Sequence, residues 1–306
     1  MINQPGLYDI TEEAYHADPV HPWSVSRSML WHMVNGPRRN PLKAWASHPK
    51  LGGGVGIDKP SFNLGRAAHM LVLQPDVFSE KVVVKPDDYS GNAAVWKQWL
   101  RDQKDSGKTV ISKSDEEKLH GMAASIKRDK TIMKILADGQ FEQTAIAQDP
   151  MTGLWLRCKP DFLPRNHSQS PVDFKTARAA DIQSFEKSTT EYGQIFQAAF
   201  YSMVLELTGR PRLDFYTFVV IETEPPHATA VYYIQDFTIT EERNVVRDAL
   251  IELADCVKNN HWPSYNGGNP TEARTPFWEV NKMQARQYRS AITEGKKDEQ
   301  TTNNIA

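Results

Sequence analysis

Three residues in the middle of the chain have the types that metal-assisted phosphodiester chemistry requires. Asp161 closes the run Cys158-Lys159-Pro160-Asp161, and Asp173 and Lys175 lie just beyond it in Val172-Asp173-Phe174-Lys175. Two carboxylates offer hard oxygen donors to a cation such as Mg2+ or Mn2+, which keeps several waters and takes further ligands from phosphate. Such a metal lowers the pKa of a bound water, and a second one stabilises a leaving oxygen. A lysine held beside them orients the attacking water or neutralises charge on the phosphorus centre. On spacing alone, the same pattern also describes a strand end, a loop and a salt-bridged strand surface, so the surrounding elements must decide.

Leu154 to Phe162 reads as one strand and Pro171 to Thr176 as another, with the polar run Arg165 to Ser170 as the loop between them. Side chains alternate along a strand, so Asp173 and Lys175 share a face while Phe174 points into the core, and Asp161 can converge on that face. Upstream, Phe62 to Gln74 reads as a helix stopped by Pro75 and carrying Gly65, Ala68 and His69. Glu142 opens the alternating run Phe141 to Gln148, and Asp149 to Gly153 is a turn. Downstream, Glu191 to Thr208 reads as a single helix ending at Gly209, with Gln197 and Tyr201 one turn apart on one face. Read singly, His69 also fits a packed histidine, Glu142 a solvated strand-edge carboxylate, and Gln197 with Tyr201 a polar stripe on an amphipathic helix.

The order is thus helix with His, strand with Glu, strand ending in Pro-Asp, strand with Asp-x-Lys, and helix with Gln-x-x-x-Tyr. It resembles the PD-(D/E)XK nuclease superfamily and, within it, the nuclease domain of the RecE-type exonucleases (exonuclease VIII). The likeness begins at Pro5-Gly6, Tyr15-His16 and Val25-Ser26-Arg27-Ser28. It continues through Leu64 to His69, Thr109-Val110-Ile111, Asp149 to Asp161, Asp173 to Thr176 and Gln197 to Tyr201, and closes on Leu253 to Cys256 and Trp262-Pro263.

The resemblance implies an α/β fold, with a central mixed β-sheet flanked by helices and an N-terminal helical elaboration. It implies that Asp161 and Asp173 are metal ligands, with the Phe174 backbone carbonyl a third and His69 a further ligand or neighbour. Lys175 is then the catalytic lysine, Glu142 an acidic partner, and Gln197 and Tyr201 position the scissile strand. Arg27, Arg38 and Arg39, with Gln197 and Tyr201, are the candidate DNA contacts. The implied activity is Mg2+-dependent (Mn2+ substituting) 5′-to-3′ digestion of linear double-stranded DNA from its ends, leaving 3′ single-stranded tails for recombination. A homo-oligomeric ring, a single-strand annealing partner and a phage or prophage setting go with it. The rival readings are a structure-selective endonuclease on the same core and a non-hydrolytic DNA-binding or annealing module.

Composition is compatible with this reading. The chain has 306 residues, 40% of them hydrophobic, enough for one elaborated α/β domain. A formal net charge of −2 means that attraction to phosphate must be local. Arg38, Arg39 and Lys43 make one candidate patch; Lys97, Arg101, Lys104 and Lys108, interleaved with Trp96 and Trp99, make another that also fits a solvated face. The two cysteines, Cys158 and Cys256, are too few for an iron-sulfur cluster or a four-thiolate zinc site and do not suggest a secreted disulfide scaffold. With no basic-then-apolar N-terminal segment and no apolar run of spanning length, a cytoplasmic protein without membrane attachment is expected.

The sequence reads as a single exonuclease domain over residues 1–280, mainly helical to 140 and with the catalytic sheet from 141, followed by a polar, mobile tail over 281–306. Further expectations are a helix over Ser24 to Val34, a flexible connector at Gly52 to Gly56 and a capping box at Ser114 and Glu117. Strands are expected over Leu213 to Glu222 and Ala228 to Gln235, and a last helix over Thr240 to Asn260.

Overall fold

The structure, a computed structural model, describes residues 1–54, 60–213 and 215–289. It divides into two compact units, Met1–Ser264 and Tyr265–Ala306. The strands in chain order are β1 Gly6–Tyr8, β2 Ser24–Ser26, β3 Val82–Val84, β4 Thr109–Ile111, β5 Gly139–Phe141, β6 Thr144–Gln148, β7 Trp155–Cys158, β8 Phe162–Pro164, β9 Val172–Ala177, β10 Phe215–Glu222 and β11 Thr229–Gln235. They make a five-stranded sheet in the order β11-β10-β9-β8-β5, a four-stranded sheet in the order β1-β6-β7-β2, and a small parallel pair β3-β4. Both larger sheets are mixed: β9 and β10 run parallel, as do β2 and β7, while their other pairs are antiparallel.

Alternation along β10 explains how the five-stranded sheet is covered on both faces. Tyr216, Phe218 and Val220 enter a core with Phe196, Phe200 and Val204 of the Gln194–Leu207 helix and Leu250 and Leu253 of the Asp236–Asn259 helix. Val219 and Ile221 enter the opposite core, with Ala67 and Ala68 of the Pro60–Leu73 helix and Leu119, Met122 and Ile126 of the Lys113–Arg128 helix. Val172 and Phe174 of β9 join this second core, which leaves Asp173 and Lys175 to the face of the Gln194–Leu207 helix. Burying a side chain of the Val, Ile or Phe kind contributes roughly 1.5–3 kcal/mol, so this two-faced packing fixes the register of β9 firmly.

The expected central sheet is divided, because two expected strands are interrupted at the same place. Leu154 to Phe162 is not continuous: β7 ends at Cys158, β8 starts at Phe162, and the two lie in different sheets. Pro160 stands in the gap and has no N–H to continue a ladder. Opposite, the run Phe141 to Gln148 breaks at Glu142 and Gln143. Glu142 takes a left-handed backbone with φ of 56°, and its N–H donates to the Asp161 carbonyl at 3.1 Å. A residue of this type in that region costs of order 1–3 kcal/mol and persists where the surroundings impose it. A long hairpin is thus kinked across both strands, as a bulge re-aims a strand.

Other expectations shift for local reasons. Ser24 to Ser26 is strand β2, and Ser26 caps a helix that begins at Arg27. The capping box lies two residues earlier than expected, between Ser112 and Asp115. The helix expected from Glu191 is two helices, Ile182–Glu191 and Gln194–Leu207. They meet at Gly193, whose φ is 63° and where a Cβ would lie 2.5 Å from the Trp31 ring and 2.7 Å from the Arg27 guanidinium. The last helix of this unit begins at Asp236, four residues earlier than expected. Gly52 to Gly54 leave a turn after the Pro41–Ser47 helix, whereas Val55 and Gly56 lie outside the described residues. In the second unit, Tyr265–Gly268 forms a short 3-10 turn and residues 277–289 are helical; the part of the expected tail from 290 onward lies outside the described residues. No helix among the described residues is long and apolar enough to cross a membrane.

Candidate active site

The kink places Glu142 and Asp161 opposite one another at the seam between the two larger sheets. His69 reaches the same point from the Pro60–Leu73 helix, its Nδ1 lying 3.3 Å from Asp161 Oδ1. One ligand atom from each of His69, Glu142 and Asp161 lies within 4.8 Å of the others. One imidazole nitrogen and carboxylate oxygens at this spacing could hold a divalent cation.

From β9, Asp173 and Lys175 face the other helix layer. Asp173 is 2% exposed. Gln197 Nε2 donates to its Oδ1 at 2.7 Å, the Tyr216 hydroxyl donates to its Oδ2, and Lys175 Nζ lies 3.6 Å from Oδ1. The two carboxylates are tied through the backbone, because the Phe174 N–H donates to Asp161 Oδ2 at 2.6 Å. The residue between Asp173 and Lys175 therefore fixes the rotamer of Asp161, while its own ring packs in the second core near the His69 ring at 6.3 Å.

The electrostatics separate the carboxylates. Burial alone would raise the Asp161 carboxyl, but the charge and hydrogen bond of His69, with Lys175 and the Phe174 N–H, hold it below its ordinary value. Burial pushes Asp173 up to about 6, with Lys175 and Tyr216 opposing and Asp161 adding. Burial and the Asp161 charge push Glu142 up to about 7 against the pull of Lys159, whose Nζ is 2.6 Å from Glu142 Oε2. Burial would lower His69, yet the charge of Asp161 and its hydrogen bond outweigh burial and raise it to about 9. A bound cation would have to compete with protons at His69, Glu142 and Asp173, since ligation requires the deprotonated groups.

The expected site residues are thus distributed as follows. His69, Glu142 and Asp161 converge directly, Asp173 and Lys175 adjoin them on β9, and Gln197 binds Asp173. Tyr201 is buried one turn further along the same helix, with its ring 6.3 Å from that of Tyr216. Arg27 is turned inward: its guanidinium donates to the carbonyls of Tyr192 and Gly193, the latter at 2.6 Å, and lies over the Trp31 ring. Arg39 is paired with Glu252, and Arg38 is exposed. Two neighbours escaped the sequence reading, Tyr216 and Lys159. The alternation Tyr216-x-Phe218 marks a face of β10, but only the pairing of Phe218 with Asp173 makes it the face that carries the carboxylate.

A family match over most of the chain places it in the PD-(D/E)XK nuclease superfamily. Within it, the chain belongs to the family described as "PDDEXK-like domain of unknown function (DUF3799)", matched over residues 43–272. The fold is similar to the crystal structure described as "Putative exonuclease" from Eubacterium rectale, at 14% identity and a TM-score of 0.60, covering 89% of this chain and 98% of that one. The solved structure of SSO0001 overlaps 64% of this chain and 85% of its own at 14% identity, with a TM-score of 0.30. No curated protein matches the sequence.

Proposed function

We propose that the protein is a metal-dependent exodeoxyribonuclease of the RecE type, degrading linear duplex DNA 5′ to 3′ and leaving 3′ single-stranded tails. The observation that carries this reading is the meeting of His69, Glu142 and Asp161 with the Asp173-Phe174-Lys175 segment at one seam. In this reading, His69, Asp161 and Asp173 hold Mg2+, with the Phe174 carbonyl as a further ligand and Glu142 as an acidic partner. Mn2+ is the natural substitute. The metal, when bound, supplies an activated water and stabilises the leaving 3′-oxygen. Lys175 orients that water and takes up charge developing on the phosphate. Gln197 and Tyr216 keep Asp173 in one rotamer, as outer hydrogen bonds do for metal-binding carboxylates.

The resemblance carried by the flanking motifs supports the finer parts of the proposal: action on double-stranded ends, a homo-oligomeric ring, a single-strand annealing partner, and a recombination setting in the cytoplasm. The test is digestion of linear duplex labelled at its 5′ or 3′ end, beside covalently closed circles, with and without Mg2+. Metal-dependent loss of 5′ label, with closed circles intact, is the expected result. Rapid cutting of closed circles would make the protein an endonuclease instead, and binding without nucleotide release would make it a non-hydrolytic module.

A further inference from the structure

Lys159 stands in the gap between β7 and β8, where the hairpin breaks, and its side chain is turned onto Glu142 on the opposite side of that break. Its Nζ lies 2.6 Å from Glu142 Oε2, with the lysine side chain 11% exposed and the glutamate 18%. A lysine ordinarily carries its ammonium out to water. This one is kept inside under Tyr15, whose ring centre is 5.8 Å from Nζ. Tyr15 is itself held. It belongs to the Glu12–His16 helix, and the Arg157 guanidinium lies 5.3 Å from the same ring centre. Arg157 in turn donates to the Ser24 carbonyl at 2.5 Å and to the Ser24 hydroxyl at 2.9 Å, and pairs with the buried Asp18 at 3.4 Å. The N-terminal segment therefore sets where the ammonium sits.

It sits on a carboxylate that also offers an atom to the cation group of His69, Glu142 and Asp161. The charge gathered at the seam gives this contact its meaning. Glu142, Asp161 and Asp173 face the ammonium groups of Lys159 and Lys175, which leaves one net negative charge when His69 is neutral, as a ligand must be. One divalent cation together with one phosphodiester then balances the site. A second divalent cation would leave two positive charges without partners, at a cost that rises as water is excluded.

We propose that Lys159 is a positioning residue that fills, as a tethered ammonium at Glu142, the place a second divalent cation would take, so that the seam carries a single metal ion. The inference rests on the nuclease reading above and deepens it. Glu142 is thereby held by the chain's own cation, and Tyr15 keeps that cation from swinging out to solvent.

The test is calorimetric titration of the whole chain with Mn2+, without DNA, at about pH 8, where protons compete less for the ligands. Asp161→Ala marks which sites belong to the seam, and the native chain is expected to take one ion there. Lys159→Gln is the decisive variant, because the amide still donates to Glu142 while the positive charge is gone. Mn2+ should bind it at least about tenfold more tightly, since a like charge beside the ion has been removed. Lys159→Arg keeps the charge and should bind Mn2+ as the native chain does. A lysine that merely supports the fold gives the opposite sign, with both variants binding more weakly. A native chain that takes two ions at the seam, or none, overturns the proposal, as does Lys159→Gln binding no more tightly than the native chain. Because the titration contains no DNA, failure of the nuclease reading registers separately, as absent cleavage by a chain that binds its ion.

Discussion

The two halves of the site are built in opposite ways. β9 delivers Asp173 and Lys175 from an unbroken strand, laddered in parallel to β10 from Val172 to Ala177 and buried on both faces from Val172 to Phe174. The hairpin delivers Glu142 and Asp161 from a break, where a left-handed residue faces a proline-containing gap and two sheets part. The continuous half supplies rigidity, and its carboxylate is clamped by Gln197 and Tyr216. The broken half supplies the opening, since only where the ladder stops do two backbones leave room for carboxylates and an imidazole to converge. The electrostatics cut across the division, with Asp161 held low chiefly by His69 while burial raises Glu142 of the broken half to about 7 and Asp173 of the continuous half to about 6.

The largest effect should come from striking the continuous half. Asp173→Ala should lower hydrolysis by more than about 10^3-fold, a loss worth over 4 kcal/mol in the barrier, while duplex binding measured by anisotropy in Ca2+ survives. Lys175→Ala should be almost as inactive yet retain metal by calorimetry, because the carboxylates remain. If Lys175→Ala lost metal as fully as Asp173→Ala, the separate roles given to carboxylate and lysine would be wrong.

The clamp is the next largest. Tyr216→Phe removes one donor from Asp173 without changing volume and should weaken metal affinity or activity by about 10–100-fold, as loss of outer hydrogen bonds to metal ligands does. Unchanged metal affinity and kcat would mean that Tyr216 serves only the core.

A glycine-alanine pair separates the two constructions through stability. At Glu142, both substitutions remove the carboxylate, but only glycine tolerates the positive φ, so Glu142→Gly should be more stable than Glu142→Ala by about 1–2 kcal/mol. At Thr176 in β9 the order should reverse, glycine being worse than alanine by roughly 0.5–1 kcal/mol in a strand interior. Denaturant midpoints measure both, and equal behaviour at the two positions would contradict the contrast.

A further effect is in pH. Glu142 and Asp173, raised to about 7 and 6, bind protons in the fold that the unfolded chain has released, so their contribution is present in acid and lost as pH rises through those values. His69, raised to about 9 from 6.5, gives a contribution complete below 6.5 and lost as pH rises through 9. These groups should make the metal-free protein less stable toward pH 9, whereas the Tm gain on adding Mn2+ should grow over the same range, since ligation requires the deprotonated groups. A metal-induced gain that shrank with rising pH would reverse the assignment.

The continuous half is the legible one. β9, β10 and β11 alternate over enough residues for their faces and bounds to be read to within two residues, and Asp-x-Lys shares a face by period alone. The broken half is not, because Phe141 to Gln148 and Leu154 to Phe162 each read as one uninterrupted strand, and no local signal but Pro160 marks the interruption. The left-handed backbone at Glu142 is imposed by the strand opposite. Tyr216 and Lys159 were hidden for a related reason: their partners are set by strand register and by the kink, which are tertiary outcomes. Gly193 carried a readable signal, a glycine inside a helical run, whose meaning depends on Trp31 and Arg27 far away in sequence.

The central claim, that the break in the hairpin creates a metal site, is tested most directly by a crystal structure of the protein soaked in Mn2+, with anomalous scattering used to locate the ion. The account predicts a peak at the seam within coordination distance of His69, Glu142 or Asp161, and its absence when Asp161 is replaced by alanine. A peak elsewhere, or none at the seam in native crystals saturated with Mn2+, would contradict it.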